Sequence, residues 1–238
     1  MKKTFVALVA VLALLSFSSC EKVVGTGPVV TETRTVNNFT GVSAAFGGQV
    51  NIRIGATLKV EVSAQQNILN VLETEVNGGV LNIDYEHGVY VKNSQQVKVD
   101  ITMPYADYLK LSGSGNMDLL GNNISNNLTL QVSGSGNISL QETQVAGILD
   151  ARISGSGDMN IFAGTVGHEE LQISGSGTMS FVGVQATTAD THISGSGDIR
   201  LKVSQTLDAH ISGSGSVFYS GTPQVITQIS GSGKVRPI

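Results

Sequence analysis

From residue 109 onward the chain repeats one pattern of apolar and polar positions: apolar-Ser-Gly-Ser-Gly-polar-apolar-x-apolar. The tetrapeptide begins at Ser112, Ser133, Ser154, Ser174, Ser194, Ser212 and Ser230, at spacings of 21, 21, 20, 20, 18 and 18 residues. It is preceded by Leu111, Val132, Ile153, Ile173, Ile193, Ile211 or Ile229. Five residues after its first Ser stands Met117, Ile138, Met159, Met179, Ile199, Val217 or Val235. Two places further come Leu119, Leu140, Ile161, Phe181, Leu201 and Tyr219, with Pro237 closing the series. Flexible Gly-Ser linkers hold no apolar residues in fixed columns, so the motif is structural punctuation.

Side chains of a strand alternate between two faces. In a continuous strand the residue before the motif, both glycines and the later apolar residues point inward, and both serines point outward. Such a strand is bare of side chain at its middle. Either the chain bends there around a corner, or it approaches another backbone too closely for a Cβ. A unit of this length closes no core alone, but stacked parallel units bury a continuous one. At about 4.8 Å per strand, seven rungs make a rod of roughly 30 Å. Parallel crossovers are right-handed in the great majority of cases, so the expected fold is all-β: a right-handed parallel β-helix, a single-stranded β-solenoid.

Residues 31–108 lack the tetrapeptide but keep the alternation, as in Val50-Asn51-Ile52-Arg53-Ile54 and Val97-Lys98-Val99-Asp100-Ile101. Asn67 to Glu75 has room for one or two helical turns. This part is read as a less regular N-terminal β region of first rungs that caps the stack. At the other end, Lys234, Arg236 and Pro237 keep an exposed edge from recruiting further chains.

The first nineteen residues carry Lys2, Lys3 and an apolar run from Phe5 to Leu15, too short for a spanning helix of roughly 20 residues. They read as a cleavable signal peptide, ending at Phe17-Ser18-Ser19 before Cys20, the single cysteine. Loss of residues 1–19 removes Lys2 and Lys3 and leaves 12 basic against 18 acidic residues, a balance of -6. No basic patch remains to favour nucleic acid or anionic headgroups. The divisions are thus a signal peptide (1–19), a tether (20–30), the N-terminal β region (31–108) and a solenoid of seven repeats (109–238).

Phe17-Ser18-Ser19-Cys20 resembles the lipobox of bacterial lipoproteins, with Phe17 where Leu is usual. The resemblance implies lipidation at Cys20 and a membrane partner reached through the lipid anchor, several acyl chains at about 0.8 kcal/mol per methylene holding the protein on a bilayer without crossing it. Asn38-Phe39-Thr40-Gly41-Val42, the Pro104 segment leading into Leu111-Ser112-Gly113-Ser114-Gly115, and the repeated Gly-Ser-Gly-Asn-Ile or Gly-Asp-Ile units resemble the head GIN domain family over roughly residues 36–235. That family is of autotransporter-adhesin type, common in Bacteroidetes. The resemblance implies a secreted or lipidated β-helical protein of the cell envelope, expected at the outer membrane on its periplasmic or surface face. It supplies no catalytic motif.

A solenoid places equivalent residues in columns. Asp150, Glu170, Asp190 and Asp208 stand four residues before successive motifs, with outward parity, and form a candidate ligand or calcium-binding column. Stacked carboxylates repel one another and recruit cations, and Ca²⁺ takes several oxygen ligands. Two places later on the same strands stand Arg152, Gln172, His192 and His210, and the alternative is a solvated stripe partly neutralised by Arg152 and by His192 and His210 when protonated. After the motif run Asn116, Asn137, Asp158, Thr178, Asp198, Ser216 and Lys234. Asp158 and Asp198, two rungs or about 9.6 Å apart, stand near the spacing of an inverting glycosidase, which makes a polysaccharide-acting β-helix enzyme one alternative. Asn and Asp also suit a tight turn after Gly. Two serine ladders offer a regular hydroxyl array to a glycan or to bent backbone. No singular nucleophile, metal-spaced histidine set or phosphate loop stands out. The expected function is a non-catalytic envelope adhesin or ligand-binding solenoid whose partner is a glycan or an envelope or surface protein. A purely structural spacer is the remaining alternative.

Overall fold

The computed structural model describes residues 21–92 and 97–238. Its N-terminal part holds β1 (Glu21–Val24), β2 (Val29–Arg34), β3 (Gly41–Ala44), β4 (Gln49–Ile54), β5 (Lys59–Gln65), the single helical turn α1 (Gln66–Leu69), β6 (Leu72–Asn77), β7 (Val80–Tyr85), β8 (Val89–Lys92) and β9 (Lys98–Met103). The repeats hold β10 (Tyr108–Gly113), β11 (Asn116–Ser125), β12 (Leu128–Gly134), β13 (Asn137–Gly155), β14 (Asp158–Ile161), β15 (Gly164–Gly175), β16 (Thr178–Gly195), β17 (Asp198–Gly213), β18 (Ser216–Ser220), β19 (Gln224–Gly231) and β20 (Lys234–Pro237). The chain is a β-solenoid of about 6 stacked parallel coils.

Each coil has three sides. Side A leads into the motif, and its ladder puts Ser112 beside Ser133, then Ser154, Ser174, Ser194, Ser212 and Ser230. Side B follows the motif, with Asn116 beside Asn137, then Asp158, Thr178, Asp198, Ser216 and Lys234. Side C is short, with Thr143 beside Gly164, and Gly164 in turn beside Val184. Register shifts fall at the B–C and C–A corners, between Leu119 and Asn122 and between Val145 and Ile148. Those corners absorb the change from 21 to 18 residues while sides A and B stay aligned.

The inward columns fill the core as the periodicity requires. Met117, Ile138, Met159, Met179, Ile199 and Val217 are all 0% exposed. One apolar cluster runs from Phe39 to Val217. Both physical explanations for the bare motif hold: close backbone approach at both glycines, and the corner at the first. The first glycine turns the corner: Gly155 has φ 132, and a Cβ there would strike the Gly134 carbonyl of the coil below. Contrary to strict alternation, this glycine is not buried. The second glycine is: a Cβ on Gly136 would lie 2.6 Å from the Gly115 oxygen. Backbone thus stacks directly on backbone along the seam.

The N-terminal part extends the stack and closes it. β3 lies between β10 and β7 on side A, and β4 between β11 and β9 on side B, all parallel. The chain enters in the middle of this spatial order, since β3 precedes β7 in sequence. Antiparallel strands then end both sides, β6 on β7 and β5 with β2 beyond β9. The segment read as a tether is partly built into the fold, because Glu21–Val24 pairs with Val89–Lys92 and β2 starts at Val29. Asn67 supports this connection: its Oδ1 accepts from the Thr26 N–H at 3.0 Å, and its Nδ2 donates to the Val24 carbonyl at 2.8 Å. No described helix is long and apolar enough to cross a membrane. Cys20 and the signal segment lie outside the described residues.

Candidate functional site

The outer surface of side A carries three polar rows. Asp150, Glu170, Asp190 and Asp208 occupy adjacent register positions, flanked by Thr129 below and Ile226 above. Beside them run Gln131, Arg152, Gln172, His192, His210 and Gln228, and beyond these the first serines of the motifs. The four residues of the predicted column thus lie in one row, with neighbouring members one strand step apart, about 4.8 Å.

The acids do not converge on a common ion. Asp150 accepts a hydrogen bond from Arg152 Nε at 2.8 Å, which holds the guanidinium above its ordinary value. His168 Nε2 stands 3.9 Å from Glu170 and 3.6 Å from Asp190, with its Nδ1 2.8 Å from Thr188 Oγ1. His210 Nε2 is 3.1 Å from Asp208. Among the described residues, no group of three or more His, Cys, Asp or Glu is arranged to hold a metal. The row's geometry is that of local pairwise contacts, an ion pair at Asp150–Arg152 and imidazole contacts at Glu170, Asp190 and Asp208. The rings of His192 and His210 stack at 4.7 Å with an interplanar angle of 3°.

Shallow grooves follow these rows. One of about 430 Å³ is lined by Gln172, His192, His210, Gln228 and the adjacent serines. Another of about 330 Å³ lies along Gln131, Arg152 and Gln172, and a third of about 260 Å³ lies over Asp150, Glu170 and Asp190. Arg152, Gln172 and His192 each line more than one, so the grooves join along the rod.

The side B column has a different role. Asp158 Oδ1 accepts the Thr178 N–H at 2.9 Å, Asp198 Oδ1 accepts the Ser216 N–H at 3.1 Å, and Asn137 Oδ1 accepts the Asp158 N–H at 3.1 Å. Each side chain fastens the backbone of the next coil. Asp198 also meets Arg200 at 3.4 Å, and Thr178 separates the two acids. The glycosidase alternative finds its two carboxylates engaged in structure, as the turn preference of Asn and Asp implies.

Sequence reasoning singled out Glu170 and passed over Glu169. Glu169 points into the core between Leu149 and Ala189 and is 0% exposed, and neither carboxylate oxygen has a hydrogen-bond partner among the described residues. Burial pushes its pKa from 4.5 to about 8. Parity could have found it, because it lies an even number of residues before inward Ile173.

Residues 38–223 match the family described as "Putative auto-transporter adhesin, head GIN domain", and the chain belongs to that family. Among solved structures, a "putative adhesin" from Bacteroides fragilis is similar at 22% identity and TM-score 0.82, covering 91% of this chain and 100% of its own. A "putative lipid binding protein" from Parabacteroides distasonis is similar at 23% identity and TM-score 0.77, with 92% and 100% covered. A "putative adhesin" from Parabacteroides merdae is similar at 21% identity and TM-score 0.72, with 92% and 99% covered. These likenesses establish a shared fold. No curated protein matches the chain.

Proposed function

We propose that this protein is a non-catalytic adhesin-type module of the cell envelope, held by a lipid on Cys20, that presents side A to an extended partner such as a glycan or surface protein. The observation that carries this reading is the joined groove over three polar rows, in which amide, imidazole, carboxylate and hydroxyl groups recur at one strand spacing around the single guanidinium of Arg152. Rows of that kind match a linear ligand in register and hold no singular nucleophile. A spacer would tolerate any change of exposed polar groups.

The test is binding to a glycan array and to immobilised envelope fractions. Changing Asp150→Asn, Glu170→Gln, Asp190→Asn and Asp208→Asn together should abolish binding and leave the melting temperature near wild type. Undiminished binding by this variant would exclude side A as the recognition surface. Lipidation is checked by metabolic labelling with an alkyne fatty acid: wild type should incorporate the label and Cys20→Ala should not.

A further inference from the structure

At the corner between sides C and A, on the early coils, lies a separate cavity of about 610 Å³. Its size falls in the range of pockets that hold small ligands, about 300–1,000 Å³. Tyr105, Asp107, Ile124, Asn126, Gln144 and Thr165 contribute to its wall. We propose that this cavity binds a neutral saccharide.

The lining chemistry selects that class. Tyr105 is 40% exposed and Ile124 63% exposed, which leaves a ring and an aliphatic surface available to the C–H face of a pyranose. The side chains of Asn126, Gln144 and Thr165 make no hydrogen bond among the described residues, and Ser125 Oγ, also in the wall, is buried without a partner. Free amides and hydroxyls supply paired donors and acceptors, which vicinal hydroxyl groups match. Among the described residues no basic side chain lines the cavity and Asp107 is its one carboxyl, so phosphate and carboxylate ligands find no counter-charge there. The apolar side chains Tyr105, Ile124 and Val145 are set among six polar residues, so an acyl chain would leave the wall's amides and hydroxyls without partners.

The wall is also fixed in advance. Asn123, 0% exposed, accepts the Ala106 N–H on Oδ1 at 2.8 Å and donates from Nδ2 to the Ala106 carbonyl at 3.0 Å, which pins the residue next to Tyr105 to the coil. Thr143 Oγ1 donates to the Asn123 carbonyl at 3.2 Å from the coil above. On the other wall the Asn126 carbonyl accepts the Gly147 N–H at 2.7 Å, and Asn127 Oδ1 accepts the Ile148 N–H at 2.9 Å. A site held in place by buried bonds loses little entropy when it is filled.

Saturation-transfer NMR on the whole chain tests this, with the methyl pyranosides of glucose, galactose, mannose and N-acetylglucosamine as probes and sodium glucuronate as the charged comparison. At least one neutral glycoside should show transfer, weaker by about tenfold or more in Tyr105→Ala and in Gln144→Ala, both at exposed positions. Glu73→Ala, at an exposed position of β6 away from both the cavity and the polar rows, should leave it unchanged. No transfer to any neutral probe, transfer that survives Tyr105→Ala, or glucuronate binding as well as the neutral probes would each overturn the assignment. Because the side A reading is tested with a different variant, either can fail without the other.

Discussion

Glu169 makes the stability of this fold depend on pH in a direction opposite to that of paired carboxylates. With its pKa at about 8 in the folded chain against 4.5 ordinarily, the acid is protonated in the native state and ionised in the unfolded state throughout the window between those values. The unfolded state then binds fewer protons, so stability is full below pH 4.5, falls as pH rises through the window and levels off above about 8. At 1.36 kcal/mol per pH unit, the loss from this one group is about 3 kcal/mol by pH 7 and about 5 kcal/mol above pH 8. Glu169→Gln keeps the shape and removes the titration. The assay is urea unfolding of wild type and variant at half-unit steps from pH 4.5 to 8.5, read as the difference between the two stability profiles. The difference should grow with pH by several kcal/mol in favour of the variant. Parallel profiles would refute the reasoning, because they would mean that the carboxyl finds water or a cation in the folded chain. Glu169→Met, which also removes the unsatisfied polar atoms, should be more stable than wild type even at pH 5, by about 1–3 kcal/mol.

Three further outcomes follow from the packing. Gly155→Ala, strained at φ 132 and clashing with the Gly134 carbonyl, should cost about 4 kcal/mol or more in unfolding free energy. Gly88→Ala has φ 82 but nothing among the described residues within 4 Å of its Cβ, and should cost only about 1–2 kcal/mol; equal costs would show that the seam is looser than described. Asn123→Ala orphans the Ala106 N–H and carbonyl and should cost about 2–4 kcal/mol, measured by the same urea titration.

The legible part of the molecule was the part governed by strict alternation. Ser133, Ser154 and their equivalents fix the register, and residues counted back from them by even or odd steps fall on the correct side. That placed Asp150, Glu170, Asp190 and Asp208 outside, and applied to Glu169 it would have exposed the buried acid. The rule fails where the chain gains residues. Asn123 and Thr143 lie past the register shifts of the short third side, so their parity relative to the motif carries no information. The cavity beside Tyr105 depends on that side and on residues 104–107 docking across it. The order β7, β3, β10 could not be read from local pattern either, because it inverts the chain order, and nothing in a strand's own residues names its neighbour.

Because the seam repeats identical contacts from coil to coil, the molecule's reach is quantised. Excising residues 174–193, one full period, would bring Ile173 against Ser194 and recreate the same junction, shortening the rod by a single step of about 4.8 Å. Lineages can therefore lengthen or trim such a protein by gain or loss of whole periods, much as a measuring stick is cut at its marks, without redesigning either end.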